Sequence, residues 1–211
     1  MHPLIQLALR AMTALTVAYH TIWACAPAVH LPPPMPMAKE QGFVVGGSLV
    51  GGAWEVNRQA SLERVTPYVS GQAFGMVALS DRWNVGGTAF LGMSTAVGAG
   101  VFARLDIVEA NRFYLGAQAG GGLAYGSLGV PLGVGVTDSL WLYTHPNVAT
   151  TTIGASNFYV DLVQPQLPLG LWWQTSDTFG LGLELGTTYG EDYNDGHSFA
   201  PYVALSLASS L

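Results

Sequence analysis

The stretch Phe179-Gly180-Leu181-Gly182-Leu183-Glu184-Leu185-Gly186 decides the fold. Its large apolar residues recur at every second position, and between them stand glycines and one carboxylate. A period of two sorts the two sets onto opposite faces of a β-strand, whereas a helix would spread both around its circumference. Working outward, Val97, Ala99, Val101, Ala103, Leu105 and Ile107 alternate with Gly98, Gly100, Phe102, Arg104 and Asp106. Val130, Leu132, Val134 and Val136 alternate with Pro131, Gly133, Gly135 and Thr137, and Val203, Leu205 and Leu207 with Ala204, Ser206 and Ala208. One face is aliphatic, the other small or polar.

Two uncharged stretches, Trp83–Ala103 and Phe113–Val136, have the length of a transmembrane helix. The second also has small residues at four-residue spacing, Gly116/Gly120 and Gly122/Gly126, of the kind that packs helices in membranes. Eight of its 24 residues are glycine, however, and Pro131 interrupts it. Each glycine costs a helix about 1 kcal/mol relative to alanine, so the strand reading prevails.

Composition orients the two faces. Only 9% of the residues are charged, against roughly 25% in a soluble domain. Lys39 is the sole lysine, and Arg58, Arg64, Arg82, Arg104 and Arg112 are scattered singly. With a formal charge of −6 there is no basic patch for nucleic acid. The small and polar face is too poor in charge to be a water-exposed surface. The aliphatic face is therefore expected to meet lipid, with small and polar residues filling a narrow lumen.

Turn chemistry counts the strands. Asp81-Arg82, Asn111-Arg112, Asp138-Ser139 and Asp177-Thr178 each break the alternation with residues that favour tight turns. Each is followed by an aromatic, Trp83, Phe113, Trp141 or Phe179, as expected of an interfacial girdle. The joints on the other side are mostly longer and polar, at 56–64, 147–156 and 190–197, and Trp54, Tyr68, Tyr159, Tyr189 and Phe199 flank these. Strands are expected near 42–55, 65–80, 83–93, 96–109, 112–125, 128–137, 139–146, 157–175, 178–190 and 197–209. The fold class is all-β: a closed, antiparallel, up-and-down transmembrane β-barrel of about ten strands. Its weakest hairpin is 128–146; without it the count is eight and the parity unchanged. An even count puts both ends of the body on the short-turn side.

The N-terminal part is different. All 27 glycines lie from Gly42 onward. Before them, Arg10 precedes an apolar run from Ala11 to Ala24, the order of a secretory signal. Five prolines between Pro27 and Pro36 make an extended tether. The expected organisation is a signal segment over 1–24, a lipidation site and tether over 25–41, and the barrel over 42–211. Cys25 is the only cysteine, which excludes an intramolecular disulfide or a cysteine-based zinc site.

Two resemblances follow. Ile22-Trp23-Ala24-Cys25 resembles the bacterial lipobox, in which the cysteine thiol is diacylated and becomes the new N-terminus; Trp23 stands where a small residue is usual. Cleavage after Ala26 or Ala28, or retention of residues 4–24 as a helix, stays open. The body resembles the small bacterial outer-membrane β-barrel proteins, and Pro201-Tyr202-Val203-Ala204-Leu205-Ser206-Leu207 is similar to their last strand, which assembly machinery reads. The resemblance implies an outer-membrane location, with membrane lipid and the barrel-assembly machinery as partners. The usual terminal aromatic is replaced by Ser209-Ser210-Leu211.

Candidate chemistry is sparse. Arg104, Asp106 and Glu184 are expected to face the lumen as a polar cluster, paired with one another or with water, as filling or as an ionic plug. Asp195, His197 and Ser198 share an outer joint with Glu191 and Asp192. Adjacent His and Ser point to opposite faces of an extended chain, so no catalytic pair is expected. Glu191-Asp192-Tyr193-Asn194-Asp195-Gly196 lacks the spacing of a calcium loop. Neither a catalytic residue, a metal or cofactor site nor a small-molecule ligand is identifiable. The expected role is structural, surface-exposed or that of a minor channel. Two alternatives stand beside it. Gly52-Ala53-Trp54 resembles the Gly-x-Trp segment of the lipocalins, implying a soluble carrier of a small apolar ligand. A barrel-embedded lipid hydrolase is the other.

Overall fold

The computed structural model describes residues 42–57, 64–93, 98–123, 125–152, 160–191 and 197–210. The expected signal segment and tether, with Cys25, lie outside them. Twelve strand segments are present: β1 (Phe43–Asn57), β2 (Arg64–Ala78), β3 (Trp83–Met93), β4 (Gly98–Ala110), β5 (Phe113–Leu123), β6 (Tyr125–Gly129), β7 (Leu132–Gly135), β8 (Leu140–Thr144), β9 (Asn147–Thr152), β10 (Val160–Gln174), β11 (Phe179–Glu191) and β12 (His197–Ser210). Every pairing is antiparallel, and β1 pairs with β12 from Val44↔Ser210 to Asn57↔His197, which closes the ring. Closure leaves no edge of unpaired backbone groups, a condition for any sheet that stands in hydrocarbon.

The ring has ten staves. β5 pairs with both β6 and β7, and β10 with both β8 and β9. β6–β7 and β8–β9 are therefore two staves, each interrupted once, at Val130-Pro131 and at His145-Pro146. The expected count of ten and the four tight turns are observed. The boundary of one joint is corrected: 147–156 begins with strand β9, and only 153–159 lies outside the described residues. Asn147-Val148-Ala149-Thr150-Thr151-Thr152 lacks an aliphatic face, but Thr is β-branched and suits the pleat.

Burial alternates along the walls with the phase read from sequence. On β11, Leu181, Leu183 and Leu185 point outward at 41%, 43% and 56% exposure, while Gly182 and Glu184 are buried. Outward leucines on β10 and β12 are as bare, Leu169 at 64% and Leu205 at 58%. Burying one such side chain is worth about 1.5–3 kcal/mol, so a wall of them facing water would outweigh a domain's net stability. The wall belongs in hydrocarbon. A soluble lipocalin-like cup requires the opposite orientation.

Candidate functional site: the polar and aromatic lumen

The inward phase gathers two kinds of side chain. Arg104 is 1% exposed and donates from Nε to Gln118 Oε1 at 2.8 Å. Gln118 is its ladder partner on β5, and Asn84 its partner on β3. Asn84 Nδ2 donates to Asp106 Oδ2 at 2.8 Å, and the Tyr114 hydroxyl donates to the other carboxylate oxygen. Arg104 and Asp106 are thus each hydrogen-bonded by neighbours on β3 or β5, which lowers the cost of burying their charges. Glu184 stands on β11, five staves from β4 in either direction round the ring, and accepts from the Tyr202 hydroxyl at 2.8 Å. The expected cluster is therefore built from two opposite walls. Between β2 and β3, Gln72 Nε2 donates to Thr88 Oγ1 at 2.6 Å.

The lumen is not filled by small and polar groups alone, and here the sequence reading needs correction. Phe74, Tyr114, Trp141, Tyr143 and Trp172 form a buried cluster with Ala208, and Val44 packs against it. Its members lie toward the short turns, in the half of the barrel where the described N- and C-terminal strands begin and end. Trp141, expected in the girdle, is 8% exposed and faces inward, because Leu140 and Leu142 hold the outward phase there. Trp83, Phe113, Phe179 and Tyr189 do face outward. The side chains of Trp54, Tyr68, Tyr159 and Phe199 lie outside the described residues.

Glycines make room for the aromatic rings. A Cβ on Gly170 would lie 2.1 Å from the Tyr143 ring, and one on Gly180 2.4 Å from Trp172. Tyr202, whose hydroxyl serves Glu184, lies over Gly186 in the same way. The inward phase was legible for Tyr114, Gln118 and Tyr202; their partners depend on register across neighbouring strands.

Other candidates fall at or beyond the described residues. Register sets Glu191 opposite His197 and Gly190 opposite Ser198, while Asp195 and the rest of the 192–196 loop lie outside. Among the described residues, no three His, Cys, Asp or Glu gather to hold a metal ion.

No family model and no curated protein matches the sequence. Among solved structures, the chain is similar to an outer-membrane channel from Pseudomonas putida F1. That match has a TM-score of 0.51 and 11% identity, and covers 86% of this chain and 100% of that one. The likeness shows the fold, a closed antiparallel β-barrel. The barrel is also similar, at a TM-score of 0.45 and 10% identity, to the translocator domain of the autotransporter NalP from Neisseria meningitidis, over 81% of this chain and 90% of that one. At these identities the likeness concerns the fold of the barrel.

Proposed function

We propose that the chain is a bacterial outer-membrane barrel closed along its axis, with a structural or surface-exposed role and no catalytic centre. One observation carries this reading. The aromatic cluster Phe74, Tyr114, Trp141, Tyr143 and Trp172 packs across the short-turn half of the lumen, where an open channel needs water. The ionic groups lie within the same packed interior, so Arg104, Asp106 and Glu184 act as filling that fixes its polar contacts rather than as a selectivity point. Acylation of Cys25 belongs to the same proposal, as do membrane lipid and the barrel-assembly machinery as partners.

Planar-bilayer recording tests the closed axis. The purified protein is expected to give no stable unitary conductance, and Tyr143→Ala combined with Trp172→Ala is expected to give one. Stable unitary steps from the unmodified protein would overturn the reading. Incorporation of labelled fatty acid, lost in Cys25→Ser, tests the anchor. Lipid turnover that disappears in His197→Ala would instead promote the hydrolase.

A further inference from the structure

Three neighbouring joints are interrupted at one level, besides a gap in the β1–β12 ladder between Gly52↔Tyr202 and Glu55↔Phe199. The β5–β6 ladder ends at Gln118↔Gly129, and the β5–β7 ladder begins at Leu115↔Leu132. On the next joint the breaks fall between Gly129↔Asn147 and Leu132↔Thr144. On the third they fall between Gln166↔Asn147 and Leu169↔Thr144. Residues 116–117, 130–131, 145–146 and 167–168 therefore face one another at one level across four staves without ladder pairs on these three joints, while 116–117 stay paired with β4 and 167–168 with β11. The β4–β5 register also shifts beside this level, between Asp106 and Val108. By contrast, the β1–β2 ladder runs without interruption from Phe43↔Val77 to Val56↔Arg64.

Each interrupted joint carries proline, although Pro67 and Pro165 stand in unbroken ladders. Pro131, Pro146 and Pro168 fall at this level, and a prolyl nitrogen has no hydrogen to give a ladder. Their carbonyls still accept: Gly116 N donates to Pro131 O at 2.8 Å, Val130 N to Pro146 O at 2.9 Å, and the Thr144 hydroxyl to Pro168 O. Beside the third joint, Asn147 Oδ1 and Gln166 Nε2 are buried with no hydrogen-bond partner among the described residues. At this joint the break is bridged by the Thr144 hydroxyl, whereas backbone N–H donors bridge the other two.

We propose that this joint is a lateral seam, at which the wall parts between His145-Pro146 and Leu167-Pro168 to admit one lipid acyl chain toward the lumen aromatics. Depth selects the occupant. The break at 130–131 is halfway along the stave 125–135, where the surrounding medium is hydrocarbon and not headgroup. Outside, the seam is flanked by Val130, Val148 and Leu167, all exposed. Inside, the next inward position on β10 is Gly170, covered by the Tyr143 ring, and Trp172 follows. This inference is independent of axial closure, since a barrel sealed to ions along its axis can still open sideways to lipid.

The test uses the full chain carrying Trp23→Phe, Trp54→Phe, Trp83→Phe and Trp173→Phe, which leaves Trp141 and Trp172. Its emission is compared in vesicles of phosphatidylcholine with and without bromine on the acyl chains. Bromine is expected to quench the lumen pair, and Pro146→Ala with Pro168→Ala, which restores two donors, is expected to reduce that quenching. Quenching through an intact wall would not change between the two backgrounds. Unchanged emission in brominated lipid, or quenching equal in both backgrounds, overturns the seam. Should the double alanine variant fail to fold, hydrogen exchange of the unmodified protein decides. Faster exchange over 143–148 and 165–170 than over 181–186 supports the seam, and equal protection overturns it.

Discussion

Gly86 and Gly87 are neighbours in sequence with opposite neighbourhoods. A Cβ on Gly86 would lie 2.4 Å from both Gly75 O and the Phe102 ring, while one on Gly87 would find its nearest atom, Gly100 O, at 3.6 Å. The backbone oxygen cannot swing away, so Gly86→Ala is expected to cost about 1–3 kcal/mol. Gly87→Ala is expected to stay within about 0.5 kcal/mol of the unmodified protein. Urea midpoints of tryptophan emission in lipid check both, and equal midpoints would contradict the inward packing. Tyr202→Phe removes a donor from buried Glu184 and is expected to cost about 1–3 kcal/mol by the same measurement. At this scale the sequence is half legible. Alternation alone puts Arg104 and Glu184 inward. That Arg104 meets Gln118, or that Tyr143 lies on Gly170, depends on cross-strand register, which alternation leaves free.

β11 carries the clearest two-sided strand, and its outward face should respond to depth. Leu185 is near its middle and Tyr189 near its long-loop end, at 56% and 40% exposure. Leu185→Arg is expected to destabilise the barrel by about 2–4 kcal/mol and Tyr189→Arg by about 0–1 kcal/mol. Folded-band retention on unheated gels across a urea series measures the difference, and equal effects would mean that no lipid-depth gradient acts on this wall. Strands with strong aliphatic alternation, such as β4, β11 and β12, were legible in the sequence. The threonine-rich β9 was not, because neither of its faces is aliphatic. The stave breaks were equally hidden: Pro131 is visible, but its alignment with Pro146 and Pro168 emerges only once the staves are in register.

For the whole molecule, parity was legible from four tight turns on one side and mostly longer joints on the other. The nature of the lumen was less so, since aromatics close to turns read equally well as girdle or as filling. The outer wall is also uneven. β10 to β12 present Leu167, Leu169, Leu171, Leu183, Leu185 and Leu205, whereas Gly75, Gly87, Ala103 and Gly121 leave a shallow groove on the other side. Both sides meet lipid if the central claim holds, that this barrel stands in a bilayer with its aliphatic phase outward. Spin labels placed singly at 181, 183, 185, 203, 205 and 207, in the Cys25→Ser background and in lipid vesicles, test this most directly. Collision with oxygen, which concentrates in hydrocarbon, is expected to exceed collision with a water-soluble nickel chelate at all six. A nickel response exceeding that of oxygen at these positions would contradict the account and place the leucine wall in water.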